Sequence, residues 1–216
     1  MEKKNLILGI LIFGSLWGAV EATLGGVLHR VLLHFPYTGA IMFSIAAFIL
    51  VAARRSYGKP GAITAMGFVA ASFKLLNLLF FVSPCIFHPM LAIIVEAMAI
   101  DLVLSISERS SKLSKLSKLS KLKTPDCLLG ILMGSIGTLA SAFVLYIPPV
   151  RGVPPLISSS TVFLTFLSIN VIGCAITVPL AFKFGSPIDF QRKSATANIF
   201  VIAICWMVGA LSILLI

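Results

Sequence analysis

The stretch WGAVEATLGG, residues 17–26, decides how this chain is read. It sits in the apolar run LILGILIFGSLWGAVEATLGGVLHRVLL, residues 6–33. A helix needs roughly 20 apolar residues to cross the hydrocarbon core of a bilayer, and this run is long enough. Yet it carries a glutamate among glycines. On a helical wheel at about 100° per residue, Gly14, Ser15, Gly18, Ala19, Ala22, Gly25 and Gly26 share one sector. Phe13, Leu16, Trp17, Val20, Leu24, Val27 and Leu28 lie opposite, and Glu21 stands on the border. The spacing Gly14-x3-Gly18-x3-Ala22-x3-Gly26 is the small-xxx-small pattern that lets helix backbones approach closely. Glu21 is therefore expected to face packed protein more than lipid.

The rest of the chain is built the same way. Hydrophobic residues make up 59% of the 216 and charged residues 11%, with a mean hydropathy of +1.09. A soluble domain of this length has no interior large enough for so much apolar surface. Candidate spans fall at 5–32, 38–53, 61–82, 87–106, 126–148, 158–183 and 196–216. The second is short and the sixth long, so the count is six or seven. The expected architecture is an all-α, polytopic membrane helix bundle, one integral membrane domain over 1–216. A basic low-complexity loop at 107–125, containing SKLSKLSKLSKLK, interrupts it. With a period of three, lysines and leucines smear around a helix axis instead of forming two faces.

The net charge of +10 does not indicate nucleic acid, because its distribution follows topology. With the N-terminus in the cytoplasm and loops alternating, Lys3, Lys4, Arg54, Arg55, Lys59, Arg109, the five lysines of 112–123, Lys183, Arg192 and Lys193 all fall inside. The positive-inside rule then orients the bundle with its N-terminus cytoplasmic, in the plasma membrane of a prokaryote. Lipid is the solvent, and no nucleic-acid partner is expected.

Three ionisable residues fall within spans. Glu21, Lys74 on the third span and Glu96 on the fourth lie at similar depth in the outward half, counting ~1.5 Å per residue. A charge at the bilayer centre costs at least ~2.5–3.5 kcal/mol, so such groups pair or line a polar cavity. Lys74 shares a face with Gly67, Ala70 and Asn77, and Glu96 with Ala92 and Ala99. Asp101 points elsewhere and is expected to serve helix packing; Asn170 reads as interhelical glue. His29, His34 and His88 are placed at outer ends of spans, where His29 and His88 could touch a ligand. The spacings H-x4-H and C-x2-H are too loose for a metal site, and cysteines 85, 127, 174 and 205 form no framework. No Walker, HExxH or GxSxG motif is present, so neither an ATPase nor another enzyme is indicated, and no cofactor is called for.

These features resemble the S components of energy-coupling factor (ECF) transporters, the membrane subunits that capture the substrate. The resemblance rests on the small-residue stripe of the first span and on KLLNLLFFVSPCIFHPMLAIIVEAMAIDL, residues 74–102. It implies a helix bundle that binds a small nutrient in its outward half, and a T-type membrane subunit with ATPases as partner. Gly14, Gly18, Ala22 and Gly26 would dock that partner. Glu21, Lys74, Asn77 and Glu96 would hold the ligand, with two acids against one base favouring an amine or ring N–H. The rival readings are a self-contained proton-coupled secondary transporter and a structural bundle with buried ion pairs.

Overall fold

A computed structural model describes residues 3–31, 38–80, 87–116, 125–146, 160–185 and 195–215. They form seven helices: α1 (Lys3–Val31), α2 (Thr38–Tyr57), α3 (Ala62–Phe80), α4 (Phe87–Leu116), α5 (Asp126–Tyr146), α6 (Ser160–Phe184) and α7 (Ala195–Leu215). The described residues contain no strand. Helices α1, α2, α4, α5 and α6 are long and apolar enough to cross a membrane, while α3 and α7 offer the shorter apolar stretches Ala62–Leu75 and Ala197–Ser212. Large apolar side chains such as Phe68, Leu102, Leu139, Phe143, Ile172, Phe200 and Met207 point away from the bundle. Backbone groups satisfied within helices and apolar side chains turned outward are what a bilayer demands. The chain is a multi-pass membrane protein.

Packing resolves the choice between six and seven helices. Contacts run α1–α3–α4–α5–α6–α2 and back to α1, closing a ring of six. Helix α2 also touches α3, α4 and α5, and it contributes Phe43, Ala46, Ala47, Leu50 and Val51 to the main core. Helix α7 stands apart, leaning on α1 and α3. There Phe73 and Trp206 stack with ring centroids 4.1 Å apart, and the Trp206 indole donates to Ser15 Oγ at 3.1 Å.

Glycines set the closest approaches. A Cβ at Gly134 would lie 2.7 Å from Val171 Cα and 2.8 Å from Asn170 O, so α5 and α6 touch backbone to backbone there. On α1, a Cβ at Gly14 would meet Val69 Cβ at 2.6 Å, and one at Gly18 would meet the Phe73 ring at 2.5 Å. The α2–α3 hairpin turns on Gly58 and Gly61, whose φ angles of 58° and 86° suit a residue without Cβ.

Two elements run past their expected limits. Helix α2 continues to Tyr57, because Arg54 is a buried helical residue and not part of a loop. Helix α4 continues to Leu116, so the basic segment does not begin as a loop at 107. Ser, Lys and Leu contain no helix breaker, and Pro125 is the first one met. Residues 117–124 of the repeat lie outside the described residues.

Arg54 explains much of the bundle's rigidity at the end where α1 begins. Its guanidinium meets Asp101 at 3.2 Å and grips Glu108 with two bonds of 2.8 Å. Asp101 in turn accepts from the backbone N–H and the hydroxyl of Thr64, both at 3.1 Å, and so caps the first turn of α3. Arg55 donates to the carbonyls of Ala181, Phe182 and Gly185 and caps the end of α6. Asp101 therefore has the packing role expected of it. This end of the bundle gathers Arg54, Arg55, Arg109 and Lys183, as the alternating topology requires.

Arg54→Met should lower unfolding stability in detergent by about 3–5 kcal/mol, since it strands the buried Asp101 carboxylate. Adding Asp101→Asn, which keeps an acceptor for Thr64 and removes the charge, should recover a large part of that loss in the same thermal-unfolding measurement.

Candidate functional site

The glutamate of the opening stretch finds its partner across the α1–α3 interface. Lys74 Nζ lies 3.3 Å from Glu21 Oε1, and both side chains are mostly buried. The Glu21 carboxylate leans along its own helix toward Gly25, where a Cβ would make ordinary contact with Oε1 at 3.6 Å and with Met42 Cε of α2 at 3.9 Å.

Glu96 is the third charged member, and it is held differently. Ser141 on α5, itself buried, donates to Glu96 Oε1 at 2.9 Å. Glu96 is close enough to feel the charge of Glu21 on one side and to interact with Cys174 of α6 on the other. Cys174 is in hydrogen-bond contact with Ser44 of α2. A Cβ at Gly173 would also press on Ser44, so α2 and α6 meet closely here. One turn along α6 from Cys174 is Asn170, 1% exposed, whose Oδ1 has no hydrogen-bond partner among the described residues. The indole N–H of Trp17, one turn below Glu21, is buried without a partner among them as well. Each helix of the six-membered ring thus carries a polar side chain within its span, namely Glu21, Ser44, Lys74, Glu96, Ser141 and Asn170, and of these Glu21 meets Lys74 and Glu96 meets Ser141.

Glu21 and Lys74 form an ion pair, and Glu96 sits nearby on a hydroxyl. The side chains of Asn77, His29 and His88 lie outside the described residues, as does His34. Among the described residues, no group of three or more His, Cys, Asp or Glu gathers as a metal would require. The glycine stripe on α1 is turned inward. Gly14 and Gly18 are buried against Val69, Met66 and Phe73 of α3, and Ala22 is buried beside Gly209 of α7. Their small size serves packing within the chain. The side chain position of Gly26 lies outside the described residues. Phe13 and Trp17, placed on the bulky side of the wheel, are core residues too. Ser44, Ser141 and Cys174 escaped the sequence reading because hydroxyls and thiols on glycine-rich apolar helices look like ordinary small packing residues. The Gly134-x2-Gly137-x3-Ser141 spacing on α5 was the one available signal.

No family model and no curated protein matches this sequence. Among solved structures, one described as the crystal structure of an S-component of an ECF transporter superposes with a TM-score of 0.59. It covers 93% of this chain and 93% of that one, at 18% sequence identity. At that identity the likeness speaks for the fold: this chain has the helical bundle of an S component from end to end.

Lys74→Met should destabilise the bundle by roughly 3 kcal/mol, because Glu21 would be left buried without its cation. The double variant with Glu21→Gln should be more stable than Lys74→Met alone, a coupling that a double-mutant cycle of thermal midpoints would measure.

Proposed function

We propose that this chain is the substrate-capturing S component of an ECF-type importer in a prokaryotic plasma membrane, and that it binds a small nutrient in its middle to outward layer. The observation that carries this reading is an ion pair and a hydroxyl-held carboxylate drawn from four different helices, inside a fold that matches an S component over 93% of the chain. A structural bundle has little reason to retain such a layer, since a buried ion pair replaced by apolar residues is often neutral or stabilising. In this reading the chain is a transport subunit with no catalytic chemistry, and its energy comes from a T-type membrane partner carrying ATPases. Glu21, Lys74 and Glu96 are the proposed ligand contacts, and Asn77, His29 and His88 are further candidates.

The two ends of the bundle favour capture over self-contained exchange. The arginine knot ties α2, α3, α4 and α6 together on the side assigned to the cytoplasm. A proton-coupled secondary transporter would have to break those bonds in every cycle. Docking of the T-type partner through α1 would need α7 to move off Ser15, Ala19 and Ala22, or would use another apolar face.

The test is reconstitution. The purified chain in nanodiscs should gain thermal stability with one member of a panel of water-soluble vitamins and their precursors. Uptake of that compound into liposomes should require co-reconstituted T-type subunit, ATPases and ATP. Glu96→Gln should weaken binding roughly 10- to 100-fold, the value of a hydrogen bond to a charged group. Uptake by the chain alone, driven by a proton gradient, would overturn the reading.

A further inference from the structure

The Arg54 cluster is fully engaged in holding helices together, and the outward apolar faces have nothing to distinguish lipid from a partner. The middle layer is different, because its charges do not balance. Glu21 and Lys74 neutralise each other at 3.3 Å. Glu96 remains, and among the described side chains its carboxylate has one hydroxyl donor and no cation within ion-pair distance. On α6, Asn170 Oδ1 is buried without a donor among the described residues, and on α1 the Trp17 indole N–H is buried without an acceptor among them. A partly buried carboxylate and a buried amide oxygen short of donors each cost free energy until a donor arrives.

Resting on the capture reading above, we propose that the ligand is an organic monocation. Its protonated amine, or charged ring nitrogen bearing N–H, docks on Glu96 between α4 and α5, beside Ser141. Lys74 borders the ligand without supplying its counter-charge. Its ammonium is already committed to Glu21, so an anionic ligand would have to break that pair and then lie next to a second carboxylate. Once an arriving cation holds Glu96 in its ionised form, minus two from the glutamates and plus one from the lysine leave one negative charge to meet it. The amide oxygen of Asn170, one turn along α6 from Cys174, can accept a second N–H from the same ligand. The site selects by charge against the chain's own excess of +10, so a cation preference here cannot come from the overall field.

Cys174 provides the reporter, since its thiol lies within the influence of Glu96. In a Cys85→Ser, Cys127→Ser, Cys205→Ala background, its modification is timed with two methanethiosulfonates, the ethylammonium and the ethylsulfonate. Each rate is normalised to that of 2-mercaptoethanol in the same buffer. Because Cys174 is buried, Ala92→Cys, one turn from Glu96 on α4, serves as a second reporter in a background that also carries Cys174→Ala. The cationic reagent should react about tenfold faster than the anionic one, equivalent to ~1.4 kcal/mol, and Glu96→Gln should bring the ratio close to one. Equal rates, a preference for the anion, or a cation preference that survives Glu96→Gln would overturn the assignment and leave the capture reading standing. Failure of both reporters to react with either reagent would mean the layer is closed to solutes, and the capture reading would fall with it.

Discussion

An ionised group inside an apolar bundle must be given a counter-charge or hydrogen bonds, and this protein is arranged around that requirement. A lone charge at membrane depth costs several kcal/mol even on the most lenient scale. The bundle meets the demand twice. Near the end where α1 begins, Arg54 receives two carboxylates, and one of these receives Thr64 in turn. In the middle, Glu21 receives Lys74 while Glu96 receives only a serine hydroxyl among the described residues. The first arrangement is complete and the second is not. That difference is what the proposed capture reading rests on.

Glycine makes both arrangements reachable. Polar groups on different helices can meet only where the backbones come close, and in lipid the hydrophobic effect does not press helices together. Gly134 seats α5 on α6 and Gly137 seats it on Phe43 of α2, which brings Ser141 to the face that Glu96 occupies. Gly14 and Gly18 let α1 sink onto α3, and that approach sets Glu21 opposite Lys74. The stripe that looked like a surface for a partner is the device that forms the ion pair. Helix α7 then covers the remaining small residues, with Trp206 bridging to Ser15.

Much of this was legible in the sequence, and the reasons are physical. Hydropathy placed all seven helices, because in a bilayer the apolar length of a segment fixes where it can lie. The depth argument singled out Glu21 and Lys74, and they are in contact. It could not say that Glu96 would be held by Ser141, since a serine on an apolar helix carries no mark of its neighbour. Arg54 and Arg55 were misplaced into a loop for a related reason. Two adjacent arginines at the end of a short apolar run look like a topogenic signal, and only the carboxylates of α4 and the carbonyls of α6 reveal their cross-helix bonds. The small face of α1 was read correctly as a packing face, but residue size alone does not tell an internal neighbour from an external one.

The contrast between the two polar layers also bears on how a solute could move. A carrier that works alone must open each end in turn, so neither end can be held by interactions much stronger than the other's. Here one end carries a bidentate arginine–carboxylate grip, a second buried carboxylate and two helix caps, shared among α2, α3, α4 and α6. Removing one partner from such a network costs several kcal/mol, and opening this end would break several of its bonds at once. The middle layer has a single ion pair and acceptors still short of donors. A solute arriving at that layer gains the donors' share of free energy without disturbing the knot. Leaving toward the other end would require work that nothing in the layer supplies. On the proposed reading, a bundle so arranged captures a solute and depends on an external source of energy to deliver it.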